Sequence, residues 1–321
     1  MALPRLAFMS VDRVLITGAA GFVGRHLTTH LEACGDEVIG VDRIHSAGSQ
    51  IPGVDITDAD AVGKLLRDLR PTAIYHLAGW ADVGGSWKAP VDAFRANAEG
   101  TLNVLSAAVD AGVSKVLAVS SADVYGKVEP SELPLTEDSP LRPASPYAAS
   151  KVAADYLGLQ AWLGRGLPVL RVRAFNHLGP GQTDKFVAPA IASRIARAER
   201  DGGPSVLPIG DLSARRDFTD VRDVVRAYRL LMDKGEPGEV YNVCSGVDLA
   251  VQDLADQMLA QAQIPLRFET DEDLLRPVEV PVLRGSHDRL SDATGWEPEI
   301  PISQTLTDLL EDWRQRVNSG E

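Results

Sequence analysis

Cysteine is nearly absent: the 321 residues hold two, Cys34 and Cys244. They have no metal-ligand spacing and no Cys/His cluster joins them. The expectation is therefore no metal site and no disulfide framework, a usage that suits a reducing cytosol. Positive charge is also scarce, with 32 Lys+Arg against 45 Asp+Glu, a formal net charge of −13 and an isoelectric point near 4.9. That balance argues against a nucleic-acid surface. An anionic ligand would need a local cationic pocket set against the global field. No apolar run approaches the roughly eighteen residues of a membrane span. The opening MALPRLAFMS, broken by Pro4, lacks the apolar core of a signal peptide. The expectation is a cytoplasmic protein with no membrane partner. Internal repeats and low-complexity segments are absent too. What remains is a chain of 45% hydrophobic residues, ample for a large core in one or two domains.

The apolar run Val11 to Thr17 leads at once into Gly18-Ala-Ala-Gly21-Phe22-Val23-Gly24, and Arg25 to Cys34 reads as a helix. Strand, glycine turn and helix in that order form a dinucleotide-binding opening. The glycines let the backbone approach a pyrophosphate, and the helix start supplies N–H groups and the positive dipole end. Glu37 to Val41 is a second strand ending in Asp42-Arg43. An acid there can accept hydrogen bonds from the adenosine ribose and repels a 2′-phosphate, which favours NAD(H). Arg43 could receive that phosphate and leaves NADP(H) open.

A third short strand is expected before Val54-Asp55-Ile56, with Asp55 placed to meet the adenine amino group. A helix from Asp58 to Leu69 precedes a fourth strand, Thr72 to Leu77, followed by the small pair Ala78-Gly79. Pro90 to Ala111 reads as one long helix. Lys115 to Ser120 is a fifth strand ending in Ser121-Ala122-Asp123-Val124-Tyr125-Gly126, and Leu167 to Arg173 is a sixth. This alternation implies an α/β fold, a Rossmann-type doubly wound parallel sheet, with ligands beyond the C-terminal strand ends. Gly18, Asp42, Ala78 and Ser121 all fall there.

Between the fifth and sixth strands, Pro146 to Leu157 reads as a helix carrying Tyr147 and Lys151 one turn apart on one face. A free phenol has a pKa of about 10. A nearby ammonium is expected to lower it and make Tyr147 a usable proton donor and acceptor.

After Arg173 the alternation breaks down, and prolines and glycines thicken around Asn176-His177-Leu178-Gly179-Pro180-Gly181. A smaller α/β substrate region is expected over 174–321. The dinucleotide-binding part spans 11–173, with a return to the main sheet within 217–245 through Glu239 to Val243. Arg216 and Arg276 suit bidentate phosphate recognition.

Together, Gly18-x-x-Gly21-x-x-Gly24, the Ser-Ser-Ala-Asp-Val-Tyr-Gly run and Tyr147-x-x-x-Lys151 resemble the extended short-chain dehydrogenase/reductase family, from about Arg13 to about Arg316. The resemblance implies catalytic Ser121, Tyr147 and Lys151 and a bound nicotinamide cofactor, NAD(H) or NADP(H). The cofactor would lie on Gly18, Gly21, Phe22, Val23, Gly24, Asp42, Arg43, Asp55, Ile56, Leu77, Ala78, Gly79, Tyr147 and Lys151. It also implies a nucleotide-sugar substrate held by Ser86, Ser121, Asp123, Asn176, Arg216, Arg276 and Glu279. The runs Arg173 to Gln182, Arg216 to Val224, Val240 to Gly246 and Arg276 to Pro281 are similar to the branch that reduces GDP-4-keto-6-deoxy-D-mannose to GDP-D-rhamnose. Related 4,6-dehydratases carry an acid pair, or Ser-Glu, just after the catalytic Ser/Thr, where this chain has Ala122 and Asp123. A 4-epimerase, a GDP-mannose 4,6-dehydratase relying on Asp123, and a non-catalytic NAD-binding regulator are the alternatives. Relatives pair the helices Pro90–Ala111 and Tyr147–Leu163 across a two-fold axis, so a homodimer built on a four-helix bundle is expected.

Overall fold

The computed structural model describes residues 13–43, 51–271 and 280–320. Arg276 and Glu279, expected to touch substrate, lie outside the described residues, as do the first two residues of the expected first strand.

The chain opens with β1 (Arg13–Thr17), α1 (Phe22–Ala33), β2 (Glu37–Val41), α2 (Ala59–Leu69) and β3 (Ala73–His76). A single helical turn follows, α3 (Val83–Ser86). Then come α4 (Pro90–Phe94), a π-turn at Arg95–Glu99, α5 (Gly100–Ala111) and β4 (Lys115–Val119). The expected long helix Pro90–Ala111 is thus one rod with a π-turn inserted, a feature that often marks functional sites. The expected third strand is not formed by the described residues before Val54. Gly53 makes only a one-residue bridge to Asp42, and Asp55 and Ile56 then open a turn closed by the Asp58 amide on the Asp55 carbonyl at 3.1 Å.

A 3₁₀ turn at Ala122–Tyr125 leads by way of a surface loop to α6 (Pro146–Arg165) and β5 (Val169–Ala174). The remainder comprises β6 (Asn176–Leu178), α7 (Val187–Asp201), β7 (Val206–Ile209), β8 (Arg215–Asp220), α8 (Val221–Lys234) and β9 (Val240–Val243). After these come β10 (Asp248–Ala250), α9 (Val251–Leu259), β11 (Arg267–Thr270), β12 (Val282–Leu283), α10 (Asp288–Thr294) and α11 (Ile302–Ser319).

Six strands form one parallel sheet in the order β2-β1-β3-β4-β5-β9. The order reverses between β1 and β3, and that switch opens a crevice at their C-terminal ends. Both sheet faces are covered. Val14 and Ile16 pack with Leu27, Leu31 and Tyr228 on one side, while Leu15 packs with Leu66, Val104 and Leu105 on the other. This two-residue alternation of direction, with both faces apolar, is what a buried parallel strand requires. A second core gathers Ile191, Ile195, Leu254, Met258, Leu306, Leu310 and Trp313 from α7, α9 and α11.

Helix α6 has a well-defined start and stop. Pro146 takes the first helical position, the Ser145 side chain accepts from the Ala148 amide at 3.1 Å, and Gly166 closes the end at a left-handed φ of +68°. Its middle is held by charge. Asp155 accepts from Arg171 Nη1 at 2.7 Å and from Arg173 Nε at 2.9 Å, both reaching from β5, and all three side chains are buried. Removing the shared carboxylate would leave two buried guanidiniums uncompensated. Asp155→Ala is expected to cost about 3–5 kcal/mol of unfolding free energy, read by urea denaturation. A loss below about 1 kcal/mol, the ceiling for an exposed ion pair, would refute the account.

Candidate active site

The C-terminal ends of β1 to β4 meet at one edge of the sheet. Gly18, after β1, has a left-handed φ of +79°, and a Cβ there would lie 2.8 Å from the Ala78 nitrogen beyond β3. A Cβ on Gly24 would lie 2.2 Å from the Gly18 carbonyl oxygen. The glycines are therefore required by the loop's own packing before any ligand is considered. Gly21 caps α1 without a side-chain hydrogen bond. The first-turn amides of Phe22, Val23 and Gly24 are left to an acceptor from outside the helix.

Asp42 accepts from the Ala20 amide at 3.1 Å and from the Arg43 amide at 2.7 Å, fastening the end of β2 to the glycine loop. Asp55 uses one oxygen, Oδ1, for the Thr57 amide and hydroxyl, and these bonds hold its carboxyl below the ordinary value. Ile56 packs against Gly100 of α5. The Leu77 amide donates to the Thr17 carbonyl at 3.1 Å and the Ala78 amide to the Thr17 hydroxyl at 3.3 Å. A Cβ on Gly79 would sit 2.4 Å from Asn97 Oδ1 and 3.7 Å from Lys151 Nζ. An open helix start, a carboxylate at the end of β2 and small residues beyond β3 fit a dinucleotide.

Lys151 and Tyr147 project into the same place. Lys151 Nζ lies 6.0 Å from the Tyr147 ring centre and donates to the Val119 carbonyl at the end of β4, at 3.0 Å. The Ser121 side chain lies close enough to act on the Tyr147 hydroxyl as a hydrogen-bond partner. Here the structure corrects the expected direction of the phenol's shift. Burial pushes Tyr147 above its ordinary pKa, the Asp123 carboxylate adds to that, and the Ser121 bond opposes it. Desolvation of a phenolate in this enclosed spot outweighs a cation held about a ring's width away. Tyr147 is consequently protonated at neutral pH. Burial acts on Lys151 in the same sense of disfavouring charge and brings it down to about 8.

Asp123 also acts on Arg216, opposing the lowering that burial imposes there. Arg216 Nη1 donates to the carbonyls of Arg215 at 2.8 Å and Pro281 at 3.4 Å. Asn176, exposed on β6, is in register with Phe218 on β8, two residues from Arg216 on the same strand. Ser121, Asp123, Tyr147 and Arg216 thus share one electrostatic neighbourhood. Ser86 is fully buried beneath it, donating to the Val83 carbonyl at 2.6 Å and accepting from the Tyr147 amide at 3.2 Å.

Several side chains of the site lay outside the expected set. Asn97, in the π-turn, accepts from the Trp80 amide at 2.8 Å and donates to Ser150 Oγ at 2.8 Å, joining the β3 end to α6. The buried His76 bridges Thr17 Oγ1 at 2.7 Å and Thr101 Oγ1 at 3.0 Å. Burial, with the Lys151 charge adding, lowers His76 to about 3, so the ring is neutral. Thr101 donates to the Asn97 carbonyl at 2.5 Å. His76 Nε2 must then donate to Thr101, and Nδ1 must accept from Thr17. A polar residue inside an apolar strand was the sequence signal for His76. Asn97, inside a long helix, had no comparable one.

Residues 14–244 match the NAD dependent epimerase/dehydratase family. The chain is 41% identical over 310 residues to the GDP-6-deoxy-D-mannose reductase of Pseudomonas aeruginosa, covering 95% of this chain and 98% of that protein. It is 33% identical to the UDP-glucose 4-epimerase of Mycolicibacterium smegmatis, covering 95% and 99%. Among solved structures, RMD from Pseudomonas aeruginosa complexed with NADPH superposes with a TM-score of 0.86 at 40% identity, covering 95% and 99%. The Thermus thermophilus UDP-glucose 4-epimerase complex with NAD gives 0.83 at 30% identity, covering 94% and 99%.

The Lys151 ammonium should lose its proton as pH rises through about 8, whereas an ordinary lysine keeps it to about 10. Because the folded value lies below the unfolded one, stability should rise with pH across that window. A side-chain carbon titration, with the Lys151 signal identified by its loss in Lys151→Met, reads this directly. A midpoint at the ordinary lysine value would overturn it.

Proposed function

This chain belongs to the NAD dependent epimerase/dehydratase family, and from that premise we propose that it reduces the 4-keto group of GDP-4-keto-6-deoxy-D-mannose to GDP-D-rhamnose, with NAD(P)H as reductant. The observation that carries the reading is the buried Tyr147, its hydroxyl close to Ser121 and its ring centre 6.0 Å from Lys151 Nζ. Ketone reduction needs a proton donor at the carbonyl oxygen, and burial keeps Tyr147 in the donor form. The similarity at 41% identity to a protein named for this activity supports the same choice.

A bound reduced nicotinamide supplies the hydride that C4 receives. Tyr147 gives its proton to O4, so the ketone becomes a secondary alcohol, and Ser121 donates to the same oxygen as charge develops on it. Lys151 holds the nicotinamide ribose and returns positive charge to Tyr147 as the phenol ionises. Gly18, Gly21 and the first turn of α1 receive the pyrophosphate, Asp42 the adenosine ribose and Asp55 the adenine. Arg216 takes the substrate diphosphate and Asn176 the sugar, with Arg276 and Glu279 assigned by motif alone. Asp42 disfavours a 2′-phosphate and so NADPH. The solved relative with NADPH and the neighbouring Arg43 favour accepting it. On this reading the six-stranded sheet serves the cofactor and 174–321 serves the nucleotide sugar.

The assay mixes the protein with GDP-4-keto-6-deoxymannose and either cofactor and follows loss of the reduced-nicotinamide absorbance. Net oxidation is expected, and Tyr147→Phe should slow it at least about 10²-fold, the lower range for general acid catalysis. Turnover with neither NADH nor NADPH refutes the reading. Interconversion of two sugars without added reductant would show an epimerase instead.

The expected homodimer also belongs to this reading. Val91 and Phe94 on α4, Leu102 on α5 and Tyr156 and Leu163 on α6 are large, apolar and exposed, Leu163 at 74%. Leu102, Val109 and Leu157 line a groove between α5 and α6. Two copies joined on that face about a two-fold axis would cover it. Sedimentation equilibrium at micromolar concentration should give twice the 34.4 kDa chain mass, falling to one chain in Leu102→Glu/Leu163→Glu. A parent protein that sediments as one chain would rule the dimer out.

A further inference from the structure

Ser121 and Tyr147 must meet to within a hydrogen bond, yet they come from different elements. Ser121 heads the 3₁₀ turn Ala122–Tyr125 and accepts from the Asp123 amide at 3.2 Å, while Tyr147 sits in the first turn of α6. The turn is a single 3₁₀ turn whose Ala122, Val124 and Tyr125 are buried, but apolar contacts of that kind carry no directionality to fix its tilt.

Its far end is held instead by one hydroxyl. Tyr125 Oη donates to Asn242 Oδ1 on β9 at 2.6 Å and accepts from Arg173 Nη1 on β5 at 3.1 Å. Neither partner is free to turn away. Asn242 donates its Nδ2 to the Leu135 carbonyl at 3.0 Å and its amide to Glu137 Oε1 at 2.7 Å, which leaves Oδ1 facing Tyr125. Arg173 donates to Asp155 and, at 2.9 Å, to the Glu137 carbonyl. Tyr125, Asn242, Arg173, Asp155 and Glu137 are all buried. The opposite side of the turn is closed by backbone, since a Cβ on Gly126 would lie 1.6 Å from the Arg142 carbonyl oxygen.

We propose that Tyr125 is a positioning residue: its hydroxyl ties the Ser121 turn, through Arg173, to the same Asp155 carboxylate that holds α6, and so sets the contact between Ser121 and Tyr147. The two reacting hydroxyls are then referenced to one buried ion pair. The ring of Tyr125 serves the apolar cluster with Phe175, its centroid 6.2 Å away, and Val124. Phenylalanine can do that part. The hydroxyl is what phenylalanine cannot replace.

Tyr125→Phe separates the two roles. The chain holds six tyrosines, so ring-carbon labelling gives a spectrum in which Tyr147 is identified by its loss in Tyr147→Phe. The Tyr147 signal should move in Tyr125→Phe toward the position it takes in Ser121→Ala. Asn242→Ala, which removes the acceptor of the Tyr125 hydroxyl, should move it the same way, and a Tyr147 signal unmoved in both variants overturns the inference. The kinetic arm rests on the reductase reading. There kcat should fall about 10- to 100-fold, as for a small misplacement of a reacting group, with KM for sugar and cofactor near the parent values. Ser121→Ala/Tyr125→Phe should be as slow as Ser121→Ala, because Tyr125 acts through Ser121. An unchanged kcat in Tyr125→Phe, or losses that multiply in the double variant, also overturns it. A parent protein that turns over no keto sugar would sink the reductase reading alone, and the Tyr147 signal would still decide the role of Tyr125.

Discussion

The carboxylate of Asp155 is the contact on which the site's geometry rests. It lies eight residues after Tyr147 on the same helix, a separation of about 12 Å along the axis. A helix is a stiff rod, so a small tilt at Asp155 becomes a large displacement at Tyr147. Two guanidiniums from neighbouring positions of β5 grip this one carboxylate from the sheet side. A buried ion pair is seldom favoured over an apolar packing of equal volume. Directionality is the property an apolar contact lacks, and a helix that must present two functional groups at fixed azimuth needs it. Leucines in place of the triad would fill the space and leave α6 free to roll.

A second charge problem is solved by segregation. With a net charge of −13, the chain repels an anion at long range, though screening limits that repulsion to within about 8–10 Å. Most arginines near the small sheet are already committed to carboxylates. Asp248 binds both Arg215 and Arg284, and Asp220 and Asp308 share Arg222. Arg216 stands apart, since its Nη1 donates to main-chain carbonyls, which orient the guanidinium without neutralising it. The adjacent Asp217 has the opposite fate. It is buried and accepts from the Ser245, Gly246 and Gly285 amides and the Ser245 hydroxyl, stitching β8 to the loops after β9 and β12. Strand alternation puts the two neighbours on opposite faces of β8, one toward the site and one into the structure.

This difference also explains what could be read from the amino-acid sequence. Strands β1 to β5 and the glycine turn carry strong periodic or turn signals and form within a residue or two of the expected bounds, while the Tyr147–Lys151 helix starts where expected and runs eight residues past Leu157, to Arg165. The placement of Gly18, Asp42, Ala78 and Ser121 at one sheet edge followed from strand order alone. What failed depended on three-dimensional neighbours. The direction of the Tyr147 shift is set by desolvation, which a one-turn spacing does not report. The third strand before Val54 was inferred from alternation, and the described residues there give only the Gly53 bridge to Asp42. Tyr125, Arg173 and Asn242 were visible as letters in motifs. Their meeting requires β5 and β9 to be neighbours, a pairing of strands separated by some seventy residues.

The burial that keeps Tyr147 protonated at neutral pH also weakens it as an acid, because the phenolate it would leave behind is poorly solvated. An enzyme that must remove a proton in one half-reaction and return it in the next gains from a phenol poised near neutrality. A reductase needs the proton in one direction only. Asp123 acts in the same sense as burial, because its negative charge raises the energy of a phenolate while leaving a neutral phenol untouched. Any reaction that takes the proton from Tyr147, reduction included, has to overcome Asp123 at each turnover. Burial has likewise lowered the affinity of Lys151 for its own proton, to about 8. Tyr147 and Lys151 are thus both biased toward their neutral forms by exclusion of water from the end of β4.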